Sequence, residues 1–153
     1  MNENKILVAC PCLNNIDVKT VVSIQSLCMP TIYLADSLIY VARDLLAQEA
    51  INGGYDYILF VDSDIQFSPD CVESLLSHDT DVVSGLYVQR KDKHLPVIYS
   101  VVEPRTKEHN AKVEIQTDIS KNYFQIEGCG MGFCLIKTEV LKKIAISYQR
   151  GVE

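Results

Sequence analysis

The stretch Tyr57-Ile58-Leu59-Phe60-Val61-Asp62-Ser63-Asp64 decides how the rest of the chain is read. Its first five residues, aromatic and branched, run without polar alternation, as in a strand buried on both faces of a sheet. An acidic pair follows at once. In extended chain, residues two apart point the same way, so Asp62 and Asp64 are expected to face one spot with Ser63 turned away. Open parallel sheets bind ligands beyond the carboxyl ends of their strands. Two carboxylates there are hard oxygen ligands suited to Mg²⁺ or Mn²⁺, ions that complete their shell with phosphate oxygens and water.

Upstream, residues 5–10 form a second continuous apolar run, ended by Pro11. Asp17 is placed to cap a helix with Val21, Val22, Ile24 and Leu27 inward, stopped by Pro30. Residues 31–34 are extended. Asp36 or Ser37 opens a second helix with Leu38, Val41, Leu45 and Leu46 on one face, and Gly53-Gly54 closes it. Downstream, Ser68-Pro69-Asp70 is a helix start with Val72, Leu75 and Leu76 inward, and residues 81–88 read as a strand. This β-α-β-α-β-α-β order predicts an α/β fold with a mostly parallel central sheet flanked by helices. After Arg90 the pattern changes. Strands are expected at 96–102, 113–116, 123–126 and 133–136, with a loop at 103–112 and a glycine loop at 128–132. A last helix, capped by Thr138, carries Val140, Leu141 and Ile144. The second half is therefore a small mixed β extension.

A length of 153 residues favours one domain. Lys plus Arg number 14 against 20 Asp plus Glu, a formal charge of −6. That balance argues against nucleic acid as a partner, which demands a basic patch, but leaves a nucleotide open. No apolar run approaches the ~18–20 residues of a membrane span; the best, residues 32–47, is broken by Asp36, Arg43 and Asp44. The N-terminus lacks the pattern of a signal peptide, so a cytoplasmic location is expected. The six cysteines (10, 12, 28, 71, 129, 134) contain no Cys-x-x-Cys and share no ligand spacing with His78, His94 or His109, so they read as small buried hydrophobes in a reducing compartment. Nucleophile-elbow, Walker and His-Glu-x-x-His patterns are absent. Gly128, Gly130 and Gly132 precede a strand-like run, unlike a dinucleotide-binding loop, and suggest either close ligand approach or a bulge. Pro11, Cys12 and Asn14 should lie on the carboxyl edge beside the acidic pair, where backbone amides and Asn14 can meet a base or ribose. From spacing alone, Arg43 is a solvated or ion-paired helix residue.

Taken in order, Pro11-Cys12-Leu13-Asn14, Val41-Ala42-Arg43-Asp44-Leu45-Leu46-Ala47 and residues 55–64 resemble glycosyltransferase family 2 and its relatives with the GT-A fold. Residues 81–87 and 130–137 resemble later landmarks of that family, and the likeness covers about residues 5–145. It is closest to small members of bacterial and phage type. The resemblance implies a single GT-A-like domain over 1–153, with a nucleotide-binding half at 1–90 and a partial acceptor-side half at 91–153. It implies a nucleotide-sugar donor, UDP-sugar favoured, an acceptor of unknown kind, and Mn²⁺ or Mg²⁺ as cofactor. Pro11, Cys12 and Asn14 would line the nucleoside pocket, and Arg43 would lie near the base or diphosphate. Asp62, with Ser63 beside it, would meet ribose or metal, and Asp64 would bind the metal directly. The metal would neutralise the departing diphosphate.

Two departures from the family pattern stand out. Asp44 occupies a position where the family usually has Asn or a small residue. The family's catalytic base is expected after the strand and helix matched by residues 133–144, beyond the end of this chain at Glu153. The rival expectations are a nucleotide-sugar-binding module or fragment without transferase activity, and a nucleotidyltransferase. The last normally carries a glycine-rich basic loop after the first strand, and residues 11–17 hold no Gly, Lys or Arg.

Overall fold

The computed structural model describes residues 4–89, 94–103, 106 and 112–150, with side chains to residue 145. The elements in order are β1 (Ile6–Pro11), α1 (Val18–Gln25), β2 (Thr31–Leu34), α2 (Ile39–Asn52), β3 (Tyr57–Val61), α3 (Asp70–Ser77), β4 (Val82–Ser84), β5 (Ile98–Glu103), β6 (Lys112–Ile115), β7 (Gly128–Cys129), β8 (Phe133–Lys137) and α4 (Thr138–Arg150). The fold is α/β. Two compact units share the chain: residues 1–85 with 131–153, and residues 86–130. The expected halves at 1–90 and 91–153 are therefore divided differently, because β8 and α4 return to the first unit.

The first unit is built on a five-stranded sheet in the order β2-β1-β3-β8-β4. β1 pairs parallel with both β2 and β3, while β8 runs antiparallel to β3 and to β4. The sheet is thus mixed. The predicted parallel run holds for β2-β1-β3, but β4 does not pair beside β3; β8 is inserted between them. Every residue of β1 is buried, as is most of β3, with Phe60, Leu7, Ile58 and Leu59 among the largest fully enclosed side chains. This is the burial a central strand needs, and it explains the unbroken apolar runs.

The helices depart from their expected faces in one consistent way. α2 packs on β1, β2, β3 and α4, and it buries Ala42, Leu46 and Ala50, four residues apart. Small side chains let the helix approach the sheet closely, so the bulkier Leu38 and Leu45, expected inward, stay outside with Val41 at the boundary. In α1 the buried residues are Thr20, Ser23 and Ile24, while Val22 is exposed. α1 ends at Gln25, well before Pro30, and Leu27 lies beyond it. Asp17 does cap α1, its carboxylate accepting from the Lys19 amide at 2.8 Å. α2 takes no side-chain cap from Asp36 or Ser37, and its end at Gly53 is followed by Gly54 with φ +67°. α3 buries Val72 and Leu75 as expected, while Leu76, also expected inward, is half-buried. At the start of α4 the Thr138 hydroxyl does not cap the helix; it donates to the carbonyls of Tyr55 (2.5 Å) and Asp56 (3.2 Å), fastening α4 to the lead-in of β3.

The second unit holds an antiparallel three-stranded sheet in the order β6-β5-β7. Residues 123–126, expected as a strand, are irregular, and the strand partner is Gly128–Cys129 from the glycine loop. A side chain at Gly128 would press on Val102, and one at Gly130 on Tyr87 and Val97, so these glycines serve close backbone packing. The expected loop at 103–112 lies mostly outside the described residues.

Candidate functional site

Three parallel strands, β2, β1 and β3, end on one edge of the main sheet, and their following loops are stitched together by backbone hydrogen bonds. The Cys12 amide donates to Leu34 O (2.9 Å), the Asp36 amide to Leu13 O (3.0 Å), and the Asp17 amide to Ser63 O (2.8 Å). The loop after β3 is held from other directions too. The Asp62 amide donates to Gly132 O (2.8 Å), and the Phe67 amide to Ser23 Oγ (3.2 Å). The Phe67 ring packs on Phe133 with centroids 4.7 Å apart. Residues 62–67 are thus fixed by α1, by β8 and by the glycine loop ahead of β8.

The backbone does not stay extended through the acidic pair. The Ile65 amide donates to Asp62 O (3.2 Å), which closes a turn over residues 62–65. The two-residue alternation expected of a strand therefore does not govern Asp62 and Asp64. Both carboxylates act on the thiol of Cys10. That thiol is pushed up to about 12, first by burial, then by Cys12, Asp62 and Asp64. Asp64 is exposed and Asp62 half-buried. Arg43, from the first half of α2, reaches across to Asp62; its Nη2 donates to Asp62 Oδ1 at 2.7 Å, with 23% of the Arg43 side chain and 33% of the Asp62 side chain exposed. Arg43 Nε is buried without a hydrogen-bond partner among the described residues.

The remaining expected residues are placed less uniformly. Asn14 is exposed in the loop after β1. Pro11 and Cys12 are buried, and the Cys12 thiol points at the carbonyls of Leu34 (3.6 Å) and Cys10 (3.9 Å). Their side chains do not line an open pocket; what this segment presents is backbone and Asn14. Ser63 contributes its carbonyl to Asp17. Asp36, expected to cap α2, makes no such cap. It lies instead on the same sheet edge after β2, exposed, with φ +58°. The dipeptide Asp36-Ser37 looked like a capping signal, and only the strand order brings it to this edge.

Among the described residues no three His, Cys, Asp or Glu side chains cluster as a metal cage. The donor set is a carboxylate pair with one oxygen engaged by Arg43. Such a pair suits Mg²⁺ or Mn²⁺ bound jointly with a phosphate ligand, and it does not suit a cation held by protein alone. A separate depression of about 390 Å³ lies at the opposite edge, near Tyr55 and Lys137. There Lys137 is already paired with Asp79 (3.2 Å) and Asp81 (3.4 Å). Among the described residues no helix is long and apolar enough to cross a membrane.

The Cys10 environment gives a direct prediction. At pH 8 a thiol with a pKa near 12 is almost wholly protonated, so Cys10 should resist alkylation in the folded chain while exposed Cys28 reacts. Mass mapping of iodoacetamide adducts reads this; early labelling of Cys10 would contradict its burial. The linkage sign follows. The folded pKa lies above the ordinary 9.0, so the folded state keeps a proton the unfolded state sheds. The contribution is intact below pH 9 and is lost as pH rises from 9 toward 12.

No family model and no curated protein matches the sequence. Among solved structures the chain is similar to A197 from STIV, with a TM-score of 0.64 and 22% identity over 91% of this chain and 68% of that one. At that identity the likeness is one of fold.

Proposed function

We propose that the carboxyl edge of the main sheet binds a nucleoside diphosphate sugar together with Mn²⁺ or Mg²⁺, and that the chain is a glycosyltransferase domain of the GT-A type. The observation that carries this reading is the acidic turn 62–65, held rigidly after the central strand β3 with Arg43 on Asp62. Asp64 and the Asp62 oxygen that does not face Arg43 would be the donors to a divalent ion. Asn14 and Asp36 stand in loops where a nucleoside can be contacted. A bound cation supplies charge neutralisation at the leaving diphosphate. The chain's own part is to orient: a turn held by backbone hydrogen bonds, with a guanidinium already on Asp62, limits the reorganisation a ligand requires. The sequence resemblance to glycosyltransferase family 2 supports the same reading, with UDP-sugar as the favoured donor.

Calorimetric titration of UDP and then GDP, with and without Mn²⁺, tests it. Binding of one nucleotide that appears only with the metal is the expected result. Absence of binding for both, under all four conditions, would reject the nucleotide site.

A further inference from the structure

Arg43 occupies an unusual position for a residue of a cation site. Its Nη2 sits 2.7 Å from Asp62 Oδ1, and both side chains are more than half buried. Its Nε is enclosed and makes no hydrogen bond among the described residues. An enclosed guanidinium N–H without an acceptor is costly, and the single bond from Nη2 to Asp62 is what offsets that cost among the described residues. Its evident effect is on charge. The guanidinium offsets the negative charge of the Asp62 carboxylate it meets.

We infer that Arg43 is a positioning residue that holds the cation place on Asp62 in the ligand-free protein, so that a divalent metal binds well only together with a diphosphate. This rests on the nucleotide-sugar reading above. Alone, a divalent ion meets a carboxylate whose charge a guanidinium already offsets, and it is attracted less strongly. With a diphosphate present, the guanidinium has a second anion to pair with, and Arg–phosphate pairs form readily through two parallel N–H bonds. Arg43 therefore opposes the metal by itself and assists the metal–diphosphate pair. Selection of phosphorylated ligands over free cations follows from one side chain.

The two effects have opposite signs, which no merely structural role would give. In Arg43→Gln, Mn²⁺ alone, followed by electron paramagnetic resonance of the free ion, should bind about tenfold more tightly. UDP in the presence of saturating Mn²⁺ should bind about tenfold more weakly. Arg43→Lys keeps the charge and should leave the Mn²⁺ affinity near that of the parent chain, which also covers the case of a poorly folded Gln variant. If Arg43→Gln leaves Mn²⁺ binding unchanged, or weakens both ligands together, the inference is overturned while the metal site stands. If neither the parent chain nor the variants bind Mn²⁺, with or without UDP, the underlying metal reading falls and the inference with it.

Discussion

Asp64→Ala is expected to weaken Mn²⁺-dependent UDP binding by about a hundredfold or more, because it removes half of the proposed two-carboxylate donor set. The fold should hardly notice. Asp64 is exposed and sits in a turn closed by the Asp62 carbonyl and the Ile65 amide, neither of which the substitution touches. Exposed substitutions of this kind usually stay within about 0.5 kcal/mol. The thermal midpoint should then move by about 2 °C at most. Titration calorimetry and a melting curve on the same sample give both numbers. Retained binding would remove Asp64 from the proposed ligand set, and loss of binding with a collapsed midpoint would show that it holds structure instead.

The largest effect on stability is expected from Gly85→Ala. A Cβ at Gly85 would press into Phe133 Cδ1 and lie 3.0 Å from its Cε1. Phe133 is only 5% exposed, pairs with Val61 in the sheet, and stacks on Phe67. The ring has little room to yield, and the Gly85 amide is itself bound to Phe133 O at 3.0 Å. Overpacking of this sort costs about 1–3 kcal/mol. In a chain of this length that lowers the midpoint by roughly 3–10 °C. The strain also reaches the site, since Phe67 helps hold the acidic turn. Nucleotide binding should therefore weaken along with stability, whereas Asp64→Ala separates the two. A midpoint unchanged by Gly85→Ala would show that Phe133 can shift freely, against the close packing described.

What the sequence made legible follows from what kind of signal each element carries. β1 and β3 were readable because a strand covered on both faces has only one composition, an unbroken apolar run. The α1 cap was readable because Asp17 acts on its own helix, two residues away. The inward faces of α1 and α2 were not, since ranking residues by hydrophobicity favours Leu and Val, whereas close helix–sheet approach selected Thr20, Ser23, Ala42 and Ala50. The candidate site was half legible. Asp62 and Asp64 stand out after a buried strand, but the turn that redirects them depends on local hydrogen bonding that the tripeptide does not announce. The Arg43–Asp62 pair and the edge position of Asp36 arise from strand order and helix packing, which bring together residues distant in sequence. The insertion of β8 was hidden for the same reason: its composition suits either direction, and only the finished sheet tells which.

That insertion governs when the sheet can exist. During synthesis from the N-terminus, β3 and β4 emerge before the strand that lies between them. Until residues 133–137 leave the ribosome, the apolar backbone of β3 has an open flank, and the carbonyl of Gly132 that pins Asp62 has not been made. Such distant pairing is slow to form and leaves strand edges exposed meanwhile. The acidic turn therefore becomes fixed only when β8 has docked, so the candidate site matures later than the parallel strands that carry it.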